Sequence, residues 1–253
     1  MLCPELSGRT VLLTGGLGCL GRAQARAFVA CGARLLLLDI PSHPGAEGVL
    51  AELRAQGPGE VRYIGLDLSD LEAARAGVLE LASEVGGVEV LVNNAAVIMN
   101  RPFESWSMAE YEQQMRVNTG AAFALAQAVA PGMKAHRRGS IINFCSVTLS
   151  GEWEGFVPYV TSKGALLGLT RSLARELGGH GIRVNAISPG AVVSEAEERL
   201  FGARAAQYQE WVLRHQSLQR RIEPEDVAAA VLFLASDGSR MVSGHLLEVN
   251  GGW

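Results

Sequence analysis

The sequence predicts an α/β protein, a single-domain doubly wound Rossmann fold with a seven-stranded parallel sheet and helices on both faces. Three observations carry that expectation. Short aliphatic runs alternate with longer segments of helical period along the whole chain. The runs are apolar throughout, as strands covered by helices on both faces must be. A glycine cluster, TGGLGCLG at residues 14–21, closes the first run and opens the first helix. No composition shift marks a linker in the 253 residues, so one domain, 1–253, is expected.

In order, the first half reads as strand RTVLLTG, a helix over 19–31, strand ARLLLLD, a helix near 45–56 and strand VRYIGLD. A helix over 69–85 follows, capped by Ser69 with Glu72 three residues on, and then strand VEVLVNN. In the second half Ser107 and Glu110 form a capping box, and an alanine-rich helix fills roughly 119–137. Strand GSIINFCS, a helix from about 156 to 178 and strand IRVNAIS come next. A helical region from Ser194 to about 215, a helix after Pro224 and strand HLLEVN complete the pattern, with no internal repeat of 20 to 50 residues.

The chain has 22 Lys and Arg against 26 Asp and Glu, a net charge of −4, and its cations are scattered. That excludes an electrostatic footprint for nucleic acid or an anionic membrane and points to small-molecule partners. MLCPELSGRT has no apolar signal core, and no aliphatic run approaches the roughly 20 residues of a membrane span, so a soluble, cytoplasmic protein is expected. Cys3, Cys19, Cys31 and Cys145 make no CxxC or Cys/His grouping, and the five histidines have no metal spacing; no metal is expected.

In a doubly wound sheet, ligands sit at the carboxyl ends of the strands where connections diverge. Gly16, Gly18 and Gly21 spell G-x-G-x-x-G at the end of strand one, a pattern that supplies a tight turn, close backbone approach to a pyrophosphate and close helix packing. Asp39 ends strand two, 18 residues after Gly21, where a carboxylate accepts from both hydroxyls of an adenine ribose and repels a 2′-phosphate. Ile40 and Pro41 follow it, and no Arg or Lys precedes Arg22 in the loop, so NAD is the expected cofactor. A turn residue that merely ends a strand is the plain alternative for Asp39.

Tyr159 and Lys163 stand four apart at the start of a predicted helix and share one face, with Ser146 thirteen residues before the tyrosine at the end of strand five. A free phenol has a pKa near 10; lowering it by about three units requires roughly 4 kcal/mol of preferential phenolate stabilisation, which a fixed ammonium can contribute.

With these residues the chain resembles the short-chain dehydrogenase/reductase family over essentially its whole length. TGGLGCLG resembles the family's cofactor loop, with Gly15, Gly18, Leu20 and Gly21 as its contacts. Asp67 and Leu68 resemble its adenine-side pair, and NNAA at 93–96, with Asn94 and Ala95, its strand-four motif. SPG at 188–190, with Pro189 and Gly190, then Val192 and Ser194, resemble the segment that holds the nicotinamide. The resemblance implies Asn118, Ser146, Tyr159 and Lys163 as catalytic residues: Tyr159 exchanges the alcohol proton, Lys163 lowers its pKa and binds the nicotinamide ribose, Ser146 steadies the substrate oxygen and Asn118 anchors a relay water. Tyr159 and Lys163 are thereby cofactor contacts as well.

One departure is Cys19, which occupies the middle glycine's place while Gly18 precedes it; a Cβ there would crowd a pyrophosphate unless the turn shifts. A small packing residue is the expected role. Enoyl-thioester reductases of the family place six residues between tyrosine and lysine; three stand here.

The resemblance further implies a substrate pocket walled by 97–101, 147–158 and the segment after SPG. Within VTLSGEWEGFVP, Glu152 and Glu154 are candidate acceptors for a polyhydroxylated substrate beside Ser146 and Tyr159, with Trp153 or Phe156 stacking on a sugar face; solvated loop acids are the alternative. Residues 194–221 are expected to form a substrate lid, and the later sequence through NGGW is similar to the family's sugar and polyol dehydrogenases. An apolar alcohol or ketone as substrate, or a non-catalytic dinucleotide sensor, are the competing readings. A homotetramer with Trp253 at a subunit contact is the family expectation.

Overall fold

The computed structural model describes residues 3–253. Its seven strands are β1 (Thr10–Thr14), β2 (Arg34–Asp39), β3 (Val61–Gly65), β4 (Val90–Asn93), β5 (Gly139–Phe144), β6 (Ile182–Pro189) and β7 (Leu246–Val249). All pair in parallel, in the order β3-β2-β1-β4-β5-β6-β7. From β1 the chain winds outward to β3, then returns to lay β4 on the other side of β1. The reversal opens a crevice at the carboxyl ends of β1 and β4.

Alternate residues of each strand feed opposite faces. Val11, Leu13, Leu35 and Leu37 join one buried layer with Phe28 of α1 (Cys19–Ala30) and Val227 and Val231 of α9 (Pro224–Ala235). Leu12, Leu36, Leu38 and Leu91 join the other with Val78 of α3 (Leu71–Glu84) and Leu125 and Val129 of α5 (Ala121–His136). α2 spans Ala46–Gln56, α4 Met108–Met115, α6 Val157–Leu177, α7 Glu195–Phe201 and α8 Ala205–His215. Among the described residues no helix is long and apolar enough to cross a membrane, and no group of three potential metal ligands occurs.

Two local expectations are corrected. The cap of α3 is Asp70, which accepts from the Ala73 amide, not Ser69; the Ser69 amide donates instead to Asp67 Oδ1 at 2.8 Å. The helix expected over 119–137 is α5, and the box of Ser107 and Glu110, with both bonds formed, caps a separate helix, α4, joined to α5 through a π-helical turn at Arg116–Gly120. The region after Ser194 breaks into α7 and α8 at a 3₁₀ turn, Gly202–Arg204. Ser194 caps α7 by accepting from the Glu197 amide, but the Glu197 carboxylate pairs with Arg221 and does not close a box.

Candidate active site

Four turns at the strand ends build the crevice. In the first, Gly15 has φ of +64°, a left-handed conformation that glycine adopts without cost, and an added Cβ would sit 2.9 Å from Ala95 Cα. A Cβ on Gly21 would meet the Gly15 carbonyl at 2.1 Å, so this glycine lets α1 pack on the loop. Gly18 differs: its φ is −74° and a Cβ would approach nothing closer than 3.5 Å, so the fold itself does not require glycine there. Its Cβ would project into the space at the start of α1, where helix amides are unpaired and an anion is favoured. A dinucleotide's pyrophosphate fits that cradle.

Thr14 and Asn94 lock this loop to β4. The Thr14 hydroxyl accepts from the amides of Asn94 and Ala95 at 3.1 and 3.0 Å, while Asn94 Nδ2 donates to the carbonyls of Thr14 and Gly15 at 2.9 and 3.1 Å. Asp39 accepts from the Leu17 amide at 2.9 Å and the Ile40 amide at 2.8 Å, so the carboxylate read as a ribose acceptor also braces the loop. Cys19 is the first residue of α1; its Sγ lies 3.6 Å from the Val193 carbonyl, just before α7. Burial and the nearby Glu195 push the Cys19 thiol up, so it is held protonated.

The reacting groups stand on α6 and the end of β5. Pro158, at the second position of α6, costs the helix no hydrogen bond and leads directly to Tyr159. Tyr159 and Lys163 are both buried, at 9% and 2% exposure, and Lys163 Nζ lies 5.4 Å from the Tyr159 ring centroid while donating to the Phe144 carbonyl at 2.6 Å. The two groups face each other one turn apart, as their spacing predicts.

Burial sets the resting charge state of the pair. Burial pushes Tyr159 up to about 12, against a hydrogen bond with Ser146 that pulls it down, and burial brings Lys163 down to about 8. No carboxylate pairs with Lys163 among the described residues. The ammonium is therefore balanced only by dipoles, and desolvation outweighs its attraction for a phenolate in this state.

Ser146 is fixed by a residue that sequence reasoning missed. Thr148, two positions on, donates to Ser146 Oγ through both its amide, at 3.2 Å, and its hydroxyl, at 3.0 Å. The S-x-T spacing that makes this turn is the signal that could have found it. Asn118 sits at the centre of the π-helical turn and is 2% exposed. Its Oδ1 accepts from the Val97 amide at 2.7 Å, and its Nδ2 donates to the Val97 carbonyl and to Ser162 Oγ, both at 3.0 Å. Ser162 in turn donates to the Tyr159 carbonyl at 2.6 Å. A π-turn shifts the helix's own hydrogen-bond register, and such turns recur at functional positions.

One cavity of about 840 Å³ joins these parts. It is lined by Gly15, Gly18, Leu20 and Gly21 of the loop, by Asp39, Asp67 and Leu68, and by Asn94 and Ala95. Ser146, Tyr159 and Lys163, with Pro189, Gly190, Val192 and Ser194, complete that lining. Asn118 stands behind it, buried. Glu152 and Glu154 lie outside it: both are exposed, Glu152 Oε2 is 3.5 Å from His215 Nε2, and the Glu154 carbonyl accepts from Asn100 Nδ2. The residue between them, Trp153, lines the cavity with Phe156. From the segment after β6, Glu197, Leu200 and Phe201 of α7 and Tyr208 of α8 close the opposite side. Phe201 and Tyr208 stack at 3.9 Å, and the half-buried Glu197–Arg221 pair ties α7 to the segment before α9.

Comparison with known proteins agrees with this geometry. A family model described as enoyl-(acyl carrier protein) reductase matches residues 17–253. The chain is 37% identical over 254 residues to a probable galactose dehydrogenase of Rhizobium meliloti, covering 98% of this chain and 96% of that one. It is 37% identical over 250 residues to the D-xylose 1-dehydrogenase of Caulobacter vibrioides, covering 99% and 97%. Among solved structures, a protein from Beutenbergia cavernae provisionally assigned as an NAD(P)-dependent gluconate 5-dehydrogenase, with NADP bound at low occupancy, superimposes with a TM-score of 0.92 at 35% identity, covering 99% and 98%.

Proposed function

The chain belongs to the short-chain dehydrogenase/reductase family, and from that premise we propose that it is an NAD(H)-dependent dehydrogenase of a secondary alcohol in a sugar or polyol. The observation that carries the reading is the buried Tyr159 and Lys163 pair facing Ser146 at the floor of the glycine-loop cavity. A bound nicotinamide dinucleotide would supply the hydride acceptor or donor. Gly15, Gly18 and the start of α1 would hold its pyrophosphate, Asp39 its adenine ribose, and Pro189 to Ser194 its nicotinamide end.

The chain's own groups handle the proton. At neutral pH the resting pair is a neutral phenol beside an ammonium, so Tyr159 is poised to donate its proton to a carbonyl oxygen, and in the opposite direction it must first lose it. Ser146, oriented by Thr148, presents its hydroxyl to the same oxygen. Asn118 and Ser162 form a hydrogen-bonded chain from the π-turn to the Tyr159 backbone, a path along which a relay water would be anchored.

The sugar assignment draws on the relatives and on the aromatic rings at the mouth. The family model's description as an enoyl reductase does not carry the reaction over, because three residues, not six, separate Tyr159 from Lys163. The preference for NAD rests on the Asp39 carboxylate at the end of β2. Phe103, Met108 and Phe123 near α4 and α5, and Phe233 and Met241 towards β7, are large apolar side chains left exposed on two separate surfaces, which supports the homotetramer. The test is a screen of purified protein with NAD and with NADP against aldoses, polyols and apolar alcohols, following reduced nicotinamide absorbance. Turnover of a sugar or polyol with NAD is expected, falling at least tenfold in Asp39→Ala; a wild type that prefers NADP, or oxidises only apolar alcohols, overturns the corresponding part of the proposal.

A further inference from the structure

Three of the chain's four tryptophans meet at one place beside the cavity. Trp153, in the loop between β5 and α6, lines the cavity; Trp211, on α8, and Trp253 do not. Trp253 stacks on Trp153 with ring centroids 4.6 Å apart and planes inclined by 21°, and on His215 at 5.1 Å and 18°. Trp211 meets the edge of Trp153 at 5.2 Å and lies 5.2 Å from Trp253. Three segments far apart in sequence are thus joined by ring contacts, which add to the stabilisation given by their buried area.

The backbone around these rings explains why the stacking matters. Trp153 lies between Gly151 and Gly155, with φ of +88° and +82°, in a loop without regular structure. Its far end is held, by Asn100 Nδ2 on the Glu154 carbonyl at 2.7 Å and the Arg101 amide on the Gly155 carbonyl at 3.0 Å. The Trp153 ring itself is set by its neighbours. The Trp253 segment is stitched to the end of the lid: the Ser217 and Leu218 amides donate to the Gly252 and Gly251 carbonyls at 3.2 and 2.8 Å. Trp253 Nε1 is buried with no acceptor, so the ring is held by stacking and not by a hydrogen bond.

We propose that Trp253 is a positioning residue for the substrate: through contacts within its own chain it clamps Trp153 against the substrate end of the cavity and joins that wall to the lid helix α8. The proposal deepens the sugar-dehydrogenase reading and rests on it for its substrate probe. Stacking alone makes a specific demand. A phenyl ring should replace the indole, and a methyl group should not.

The test compares wild type with Trp253→Ala and Trp253→Phe in three measurements: KM for D-galactose with NAD, the dissociation constant of NADH, and the rate of tryptic cleavage in the lid at Arg199, Arg204 and Arg214. The alanine variant is expected to raise KM at least tenfold and cleavage at least fivefold, with NADH affinity within twofold; the phenylalanine variant should stay within about threefold of wild type in all three. An unchanged KM in Trp253→Ala, a parallel loss of NADH affinity, or a phenylalanine variant as impaired as alanine overturns it. If wild type does not oxidise D-galactose, D-xylose replaces it as the probe. If neither sugar turns over, the sugar reading fails by itself and the clamp is decided by cleavage: faster in alanine and restored in phenylalanine upholds it, and equal rates in all three chains overturn it.

Discussion

The crevice has two walls built on different principles. The nucleotide wall is backbone: the glycine loop, the ends of β1, β2 and β4, amides held by Thr14 and Asp39, and carbonyls held by Asn94. The substrate wall is side chain: Trp153, Phe156, Phe201 and Tyr208, delivered by a loop and two short helices and locked by ring stacking. A backbone wall constrains residue type tightly, because only certain residues permit its geometry. A side-chain wall can be repacked by changing one ring, which is how a shared fold acquires different substrates.

Where the two walls meet, Tyr159→Phe should produce the largest effect, a fall in turnover of about a thousandfold or more with NADH binding unchanged, since only the exchangeable proton is removed. Turnover retained within tenfold would show that the proton travels by another group. Lys163→Met should also abolish most turnover while stabilising the fold by about 1–3 kcal/mol at pH 7, because the ammonium is buried without a charge partner. The sign follows from proton counts. The folded pKa of about 8 lies below the usual value near 10.4, so the unfolded chain holds the extra proton between those limits. The penalty is full below about pH 8, fades as pH rises to about 10.4, and the stability gain of Lys163→Met should fade with it in chemical denaturation. A variant less stable than wild type at pH 7 would mean that the Phe144 hydrogen bond dominates.

Two glycines in the nucleotide wall sharpen the comparison further. Gly21→Ala places a methyl 2.1 Å from a carbonyl oxygen and should cost about 2–4 kcal/mol, lowering the melting temperature. Gly18→Ala meets nothing closer than 3.5 Å and should leave the melting temperature within about 2 °C while weakening NADH binding about ten- to a hundredfold. Equal melting losses in both would dissolve the distinction between a packing glycine and a ligand glycine. The smallest effect is expected from Thr148→Val, which removes one of two hydrogen bonds to Ser146 and should cost about three- to tenfold in turnover at unchanged NADH affinity.

What could be read from the sequence divides along the same line. The strands, the glycine loop, Asp39 and the Tyr159–Lys163 pair were legible because backbone geometry and helical spacing are written in residue type and number. Glu152 and Glu154 were misplaced because polarity in a loop does not give direction: their neighbour Trp153 takes the cavity and leaves both acids facing solvent. Ser69 and Asp70 are adjacent and equally good caps, and only Asp67, by taking the Ser69 amide, decides between them. The π-turn at Asn118 left no mark in the pattern, since α4 before it is largely polar, with only Gln114 buried, and offers no apolar periodicity against which a shift of register could be read. Spacing reports which charged group stands near the phenol but not how much water the phenol loses on burial.

The gathering of Trp153, Trp211 and Trp253 at the mouth also has an optical consequence. Indole emission overlaps the absorption of a reduced pyridine nucleotide, so the fold carries donors beside the place where such a molecule would lodge. Quenching of the protein's own light should then report occupancy, with no label attached.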